Sequence, residues 1–202
     1  MAPLVTMVTA TWGRPVTILK HAIPSIEGQD YPDIEHLIIS DGYDPDLNRV
    51  LADAGYTPDG DRRRLVWLGR NWTGFSGDGA IGAIPRLVGS YLAAGEYIGY
   101  LDDDNDLSPR HVSYLVRVLE EQGVDLALCP WEMWPDASTH VADTNTFLHR
   151  ASVLKEGSWG LDGYTGDSRL VNRWIAAGVT WGYHDEQTVT LNRHNGGKGA
   201  PD

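Results

Sequence analysis

Cysteine is almost absent from this 202-residue chain: Cys129 stands alone, so no internal disulfide can form. Its neighbours Asp125-Leu126-Ala127-Leu128 mark it as a core thiol and not a nucleophile. No apolar run approaches the ~20 residues needed to cross a bilayer, and the N-terminus has no basic segment leading into a long apolar one. A soluble protein of the cytoplasm is therefore the expectation. Basic residues are also scarce, 16 Lys plus Arg against 28 Asp plus Glu, and the formal charge of −12 argues against a broad nucleic-acid face or an anionic-membrane patch. Linkers and internal repeats are missing too. With 42% hydrophobic residues the chain can bury a proper core, and its length suggests one compact domain.

What is present, and most informative, is the acidic run Asp102-Asp103-Asp104-Asn105-Asp106. It follows Glu96-Tyr97-Ile98-Gly99-Tyr100-Leu101, which reads as a buried strand ending in carboxylates. Three successive aspartates repel one another unless a cation or solvent separates them. A hard cation such as Mn²⁺ or Mg²⁺ takes one or two carboxylates and fills its other positions with water and substrate phosphates. The run can equally cap a helix starting at Ser108-Pro109, and the two roles are compatible. An EF-hand loop is excluded, because Leu107 and Ser113 stand where that loop needs Gly and Glu.

Along the chain, short apolar runs alternate with helix-spaced segments. Strands are predicted at Leu4 to Thr9, Glu35 to Ile39, Arg64 to Leu68, Tyr97 to Leu101 and Asp125 to Cys129. Helices are predicted at Val16 to Ile26, broken by Pro24, at Pro45 to Ala54 with Asp44 as N-cap, at Ala80 to Ala94 and at Pro109 to Gln122. Gly69 to Gly79 reads as a glycine-rich loop. Such alternation implies a mainly parallel sheet with crossover helices, whose ligands sit beyond the carboxyl ends of the strands. Asp41 and Asp102 both fall at such ends. Beyond Pro130 the pattern loosens: a strand at Thr144 to His149, a glycine-rich loop at Gly157 to Gly166, a helix from Asp167 to Ala177, strands at Val179 to Tyr183 and Thr188 to Arg193, and a mobile tail at Asn195 to Gly199.

Four segments in order resemble the nucleotide-sugar-dependent glycosyltransferases of the GT-A fold, specifically the family-two group, over roughly residues 3 to 195. They are Val5-Thr6-Met7-Val8-Thr9-Ala10-Thr11-Trp12-Gly13-Arg14-Pro15; Ile38-Ile39-Ser40-Asp41-Gly42; Arg86, Gly89, Ala93 and Gly95-Glu96-Tyr97-Ile98 before the Asp-x-Asp motif Asp102-Asp103-Asp104; and Asp167 with Arg173 and Gly178. Ser40, Leu87 and Gly166 depart from residues common in that family. The resemblance implies an α/β GT-A (Rossmann-like) fold with a mixed, mainly parallel sheet flanked by helices. Residues 1–130 would form the nucleotide-sugar-binding half of one compact domain and 131–202 the acceptor-binding and catalytic half.

By the same resemblance, Thr9, Thr11, Arg14, Asp41 and Asp103 lie at the nucleotide pocket. Thr9 and Thr11 also suit plain strand packing. Arg86 meets the diphosphate or forms a helix-surface ion pair. Asp104 binds the metal, with Asp102 on ribose or metal-bound water. His194 resembles the C-terminal histidine that contacts metal or diphosphate, and His184 competes for that role. Asp167 is the candidate general base, in a position that also suits a helix cap. Trp159 first, and Trp131, are candidates to stack on a sugar or acceptor ring.

The implied activity is metal-dependent transfer of a sugar from a nucleoside-diphosphate sugar, UDP favoured, to a hydroxyl acceptor with inversion. Two other classes compete. A nucleotidyltransferase would want a basic glycine-rich loop directly after the first strand, where Thr11-Trp12-Gly13-Arg14-Pro15 offers one glycine. A catalytically degenerate binding module would not need Asp102, Asp104 and Asp167 together.

Overall fold

The computed structural model describes residues 2–72, 82–136, 141–160 and 166–192. Its elements in chain order are β1 (Val5–Thr11), α1 (Pro15–Lys20), α2 (Ala22–Glu27), β2 (Ile34–Ser40), α3 (Pro45–Asp53), β3 (Arg63–Trp67), α4 (Ala83–Leu92), β4 (Tyr97–Tyr100), β5 (Asp106–Leu107), α5 (His111–Glu121), β6 (Leu126–Leu128), β7 (Phe147–Arg150), α6 (Gly166–Ala176), β8 (Trp181–Tyr183) and β9 (Val189–Thr190). The described strands make a seven-stranded sheet in the order β3-β2-β1-β4-β7-β6-β8 and a separate β5-β9 ribbon. Strands β1 to β4 pair in parallel, while β7 runs antiparallel to both β4 and β6. The sheet is mixed and mainly parallel, with helices flanking it.

Period-two alternation sorts the sheet residues into two cores. Met7, Ile38, Tyr97 and Leu148 face one side with Ile18, Leu47, Leu115 and Leu119 from α1, α3 and α5. Val8, Leu37, Ile39, Ile98 and Phe147 face the other with Leu170 and Trp174 from α6. Central strands are buried on both faces, and β1, β2 and β4 are buried along nearly all of their length, with the polar Thr6, Thr9, Glu35 and His36 hydrogen-bonded to one another across β1 and β2. Glu35, a carboxylate within β2, is 1% exposed and is fully engaged. It accepts from Thr6 Oγ1 at 2.5 Å, Arg64 Nη1 at 2.7 Å and the Ala94 N–H at 3.0 Å, tying the end of α4 to the sheet. Gly95 sits in that junction because a Cβ there would lie 2.6 Å from the Thr6 backbone nitrogen.

Three sequence expectations shift in detail. The first helix breaks at His21 (φ −116, ψ −77) and not at Pro24; Pro24 lies in the first turn of α2, where a missing N–H breaks no helical bond. Helix α5 begins at His111, and Ser108-Pro109 form the turn before it, with the Ser108 carbonyl accepting the His111 N–H at 3.0 Å. Thr144 to Thr146 are a 3-10 turn capped by Asp143, so the strand expected there starts only at Phe147. The Asn195 to Gly199 tail and most of the Gly69 to Gly79 loop lie outside the described residues. Among the described residues no helix is long and apolar enough to cross a membrane.

Candidate active site

The chain runs outward from β1 through β2 to β3, then returns to place β4 on the other side of β1. The crevice beyond β1 and β4 is therefore the topological switch point, where open α/β sheets bind ligands. Because β7 is antiparallel to β4, its leading turn Thr144–Thr146 comes to the same edge, as does the end of β6.

Asp103 is 5% exposed and joins the two central strands. Thr11 Oγ1 donates to its Oδ2 at 2.7 Å and Arg14 Nη1 to its Oδ1 at 2.7 Å. Both terminal nitrogens of Arg14 also reach Asp104 Oδ2, each at 3.0 Å. Burial pushes the Asp103 carboxyl up to about 7, with Arg14 and Thr11 opposing.

Asp102 faces a second arginine. Arg86, from the first turn of α4, ion-pairs with its Oδ1, while Asn145 and Asn105 donate to its Oδ2 at 3.2 and 3.4 Å. Burial disfavours the charge on Arg86, but Asp102, Asp167 and Asp143 outweigh it and hold the guanidinium more firmly protonated than usual. The same guanidinium lies 5.2 Å over the Trp159 ring.

Asp167 opens α6, and its Oδ1 accepts the Ser168 N–H at 2.8 Å. Burial raises its carboxyl, and Asp102 adds to the shift, while the Ser168 N–H and Arg86 oppose it. A raised carboxyl in a cleft is a stronger proton acceptor once ionised. Arg86 is thus the centre of a group formed by Asp102, Asp143 and Asp167, drawn from three separate parts of the chain.

The other sequence candidates fall in different places. Asp41, 3% exposed, continues β2 past its end; its N–H bonds Thr11 O and its Oδ1 accepts the Trp72 N–H at 2.9 Å. Thr9 points into the interior, with its hydroxyl 2.9 Å from His36 Nε2, apart from the acidic loop. Trp159 is buried edge-on to Tyr100 (5.0 Å) and stacked on Phe147 (6.1 Å), so it supports Arg86 from below and presents little ring face to solvent. Trp131 is also buried and donates to Val141 O at 3.3 Å. His184 packs on Tyr114 at 5.4 Å, and His194 lies outside the described residues.

Sequence reasoning missed two residues of this group, Asp143 and Asn145. The polar Asp143-Thr144-Asn145-Thr146 stretch before an apolar strand was visible, but its partner Asp102 is 43 residues away from Asn145, and no local signal encodes that pairing. Asn192 was likewise unassigned. Its Nδ2 contacts Asp104 O at 2.9 Å and Asp106 Oδ2 at 2.6 Å, and its N–H bonds Asn105 Oδ1 at 3.0 Å, pinning the acidic loop to the segment that follows β9. No cluster of three or more His, Cys, Asp or Glu suited to a metal occurs among the described residues. Asp102 and Asp104 nonetheless offer hard oxygen donors of the kind that Mn²⁺ or Mg²⁺ uses in pairs beside phosphates.

The profile described as Glycosyl transferase family 2 matches residues 6–184. No curated protein matches the chain. Among solved structures, S. aureus TarS 1-349 in complex with UDP-GlcNAc is similar with a TM-score of 0.75 at 12% identity, over 96% of this chain and 60% of that one. Mannosyltransferase PcManGT from Pyrobaculum calidifontis, in complex with GDP-Man and Mn²⁺, is similar with a TM-score of 0.77 at 15% identity, over 98% of this chain and 59% of that one. At such identities the likeness is one of fold, and this chain spans about three fifths of each neighbour's length.

Proposed function

The chain belongs to glycosyl transferase family 2, and from that premise we propose that it moves a sugar from a nucleoside-diphosphate sugar, UDP favoured, to a hydroxyl acceptor with inversion at the anomeric carbon. The observation that carries this reading is the meeting of Asp102, Asp104 and Asp167 around two half-buried arginines at the switch point of the sheet. The structural neighbours holding UDP-GlcNAc and GDP-Man support a nucleotide-sugar donor. The neighbour with Mn²⁺ supports a divalent cation.

Asp104 would hold that cation, with Asp102 reaching it directly or through water. When bound, the cation neutralises charge on the diphosphate. Asp41 and Thr11, at the ends of β2 and β1, border the nucleotide pocket. Arg86 orients Asp102 and places positive charge where the leaving diphosphate accumulates negative charge. Asp167 accepts the acceptor's hydroxyl proton as the oxygen bonds to the anomeric carbon and the bond from that carbon to the diphosphate oxygen breaks. A base on one side and a leaving group on the other give inversion.

The test is calorimetric titration with UDP, GDP and dTDP, each with Mn²⁺ and with EDTA. Metal-dependent binding of one of the three supports the transferase reading and names the donor base. Binding of none by the folded protein overturns it.

A further inference from the structure

Asn145 occupies an unusual position: it is fully buried, lies in the turn leading into β7, and uses both ends of its side-chain amide on one residue just beyond the end of β4. Its Oδ1 accepts the Asp102 N–H at 2.6 Å. Its Nδ2 donates to Asp102 Oδ2 at 3.2 Å and also to Asp143 Oδ1. The partners fix the amide orientation, because the reverse would set an N–H₂ against an N–H and an oxygen against two carboxylates. Asp143 in turn accepts the Asn145 backbone N–H at 3.0 Å, so the asparagine is itself held from behind.

We infer that Asn145 is a positioning residue that sets the carboxylate of Asp102 for donor binding. The backbone bond fixes where the acidic run leaves β4. The side-chain bond fixes the Asp102 rotamer, with Oδ2 tied to Asn145 and Oδ1 to Arg86. Only one side-chain type does both: aspartate offers no donor to the carboxylate, leucine strands a buried N–H, and glutamine is one methylene too long. Hydrogen-bond partners behind a metal- or substrate-binding carboxylate tune it by holding its orientation. This inference rests on the proposed donor role of Asp102.

The experiment uses Asn145→Ala and Asn145→Asp, with two readouts on the full chain. Amide hydrogen exchange at Asp102, without ligand, reads the clamp itself. Titration with the nucleoside diphosphate that the wild type binds, in Mn²⁺, reads its consequence. Asn145→Ala is expected to speed exchange at Asp102 beyond the change at core amides of β1. Both variants are expected to weaken binding about 10- to 100-fold. In an Asp102→Asn background, Asn145→Asp is expected to add nothing, because the residue acts through Asp102. Unchanged exchange at Asp102, unchanged binding, or an equal weakening in both backgrounds overturns the inference. If the wild type binds no nucleoside diphosphate, the donor reading falls and this role falls with it, while the exchange result separately tells whether the clamp exists.

Discussion

Arg14 grips Asp104 with both terminal guanidinium nitrogens, each 3.0 Å from the same oxygen, and reaches Asp103 at 2.7 Å with one of them. One cation therefore bridges two adjacent carboxyl groups and offsets their mutual repulsion. Removing it leaves the buried Asp103 with Thr11 as its hydrogen-bond donor. Arg14→Ala is expected to lower unfolding free energy by about 3 kcal/mol, in the range for breaking a buried ion pair. Arg14→Lys should recover only part of that, because an ammonium lacks the fork. Urea denaturation of the three proteins measures both differences.

Asp104 and Asp167 should separate binding from turnover. Asp104→Ala is expected to abolish metal-dependent binding of nucleoside diphosphate, read by calorimetry with Mn²⁺ and with EDTA. Equal residual binding in the two conditions and in wild type would remove the metal role of this residue.

Asp167→Asn keeps the helix-opening geometry, since its amide oxygen can still accept the Ser168 N–H. Nucleoside-diphosphate binding should stay intact while turnover falls by a factor on the order of 10² or more. Steady-state rates beside binding isotherms check this, and equal loss of binding in the Asp104 and Asp167 variants would sink the division of roles.

His36 gives a pH signature of folding. Its ring is buried between Thr9 and the Tyr56 hydroxyl, 2.9 and 2.6 Å away, and burial, aided by Arg63, lowers its pKa from 6.5 to about 3. The native state thus refuses a proton that the unfolded chain binds below 6.5. Its contribution is fully present above 6.5 and is lost as pH falls toward about 3. His36→Gln, although less stable near neutrality, should show a stability-versus-pH slope shallower by up to ~1.4 kcal/mol per pH unit in that window. Parallel slopes in denaturant titrations across the window would refute it.

Gly89 on α4 marks a close approach of that helix to the sheet. A Cβ there would lie 2.4 Å from Val8 Cγ1 and 3.2 Å from Ile39 Cγ1. Gly89→Ala is expected to cost about 1–3 kcal/mol through overpacking, despite alanine's better helix propensity. Thermal unfolding distinguishes this from the small gain expected at an open helical site.

The strand ends bearing Asp41 and Asp102 were legible in sequence because buried parallel strands read as apolar runs that stop abruptly at polar residues. The Asp44-Pro45 start of α3 was legible for the same local reason: Asp44 accepts the N–H groups of Asp46 and Leu47 at 2.9 Å each. What depended on distant partners was not. Pro24 looked like a breaker until its place in the first turn of α2 was known. Trp159 looked like a sugar platform, but β4 and β7 enclose it with Tyr100 and Phe147. The roles of Asn145 and Asn192 arise wholly from the insertion of β7 beside β4 and the pairing of β5 with β9.

The long sequence reach of the ties on the acidic loop bears on the order in which the molecule is built. Asp102 is held by a residue 43 positions later and Asp106 by one 86 positions later. A ribosome delivers the first four strands well before either tie. The half of the crevice made by β1, β2 and β3 can therefore assemble while the chain is still growing, whereas the acidic loop gains its last ties, at Asp104 O, Asn105 and Asp106, only after Asn192 has emerged. A nascent chain stalled short of that point would carry a nearly complete sheet whose acidic loop is held by Thr11, Arg14 and Arg86 but still lacks its tie to Asn192.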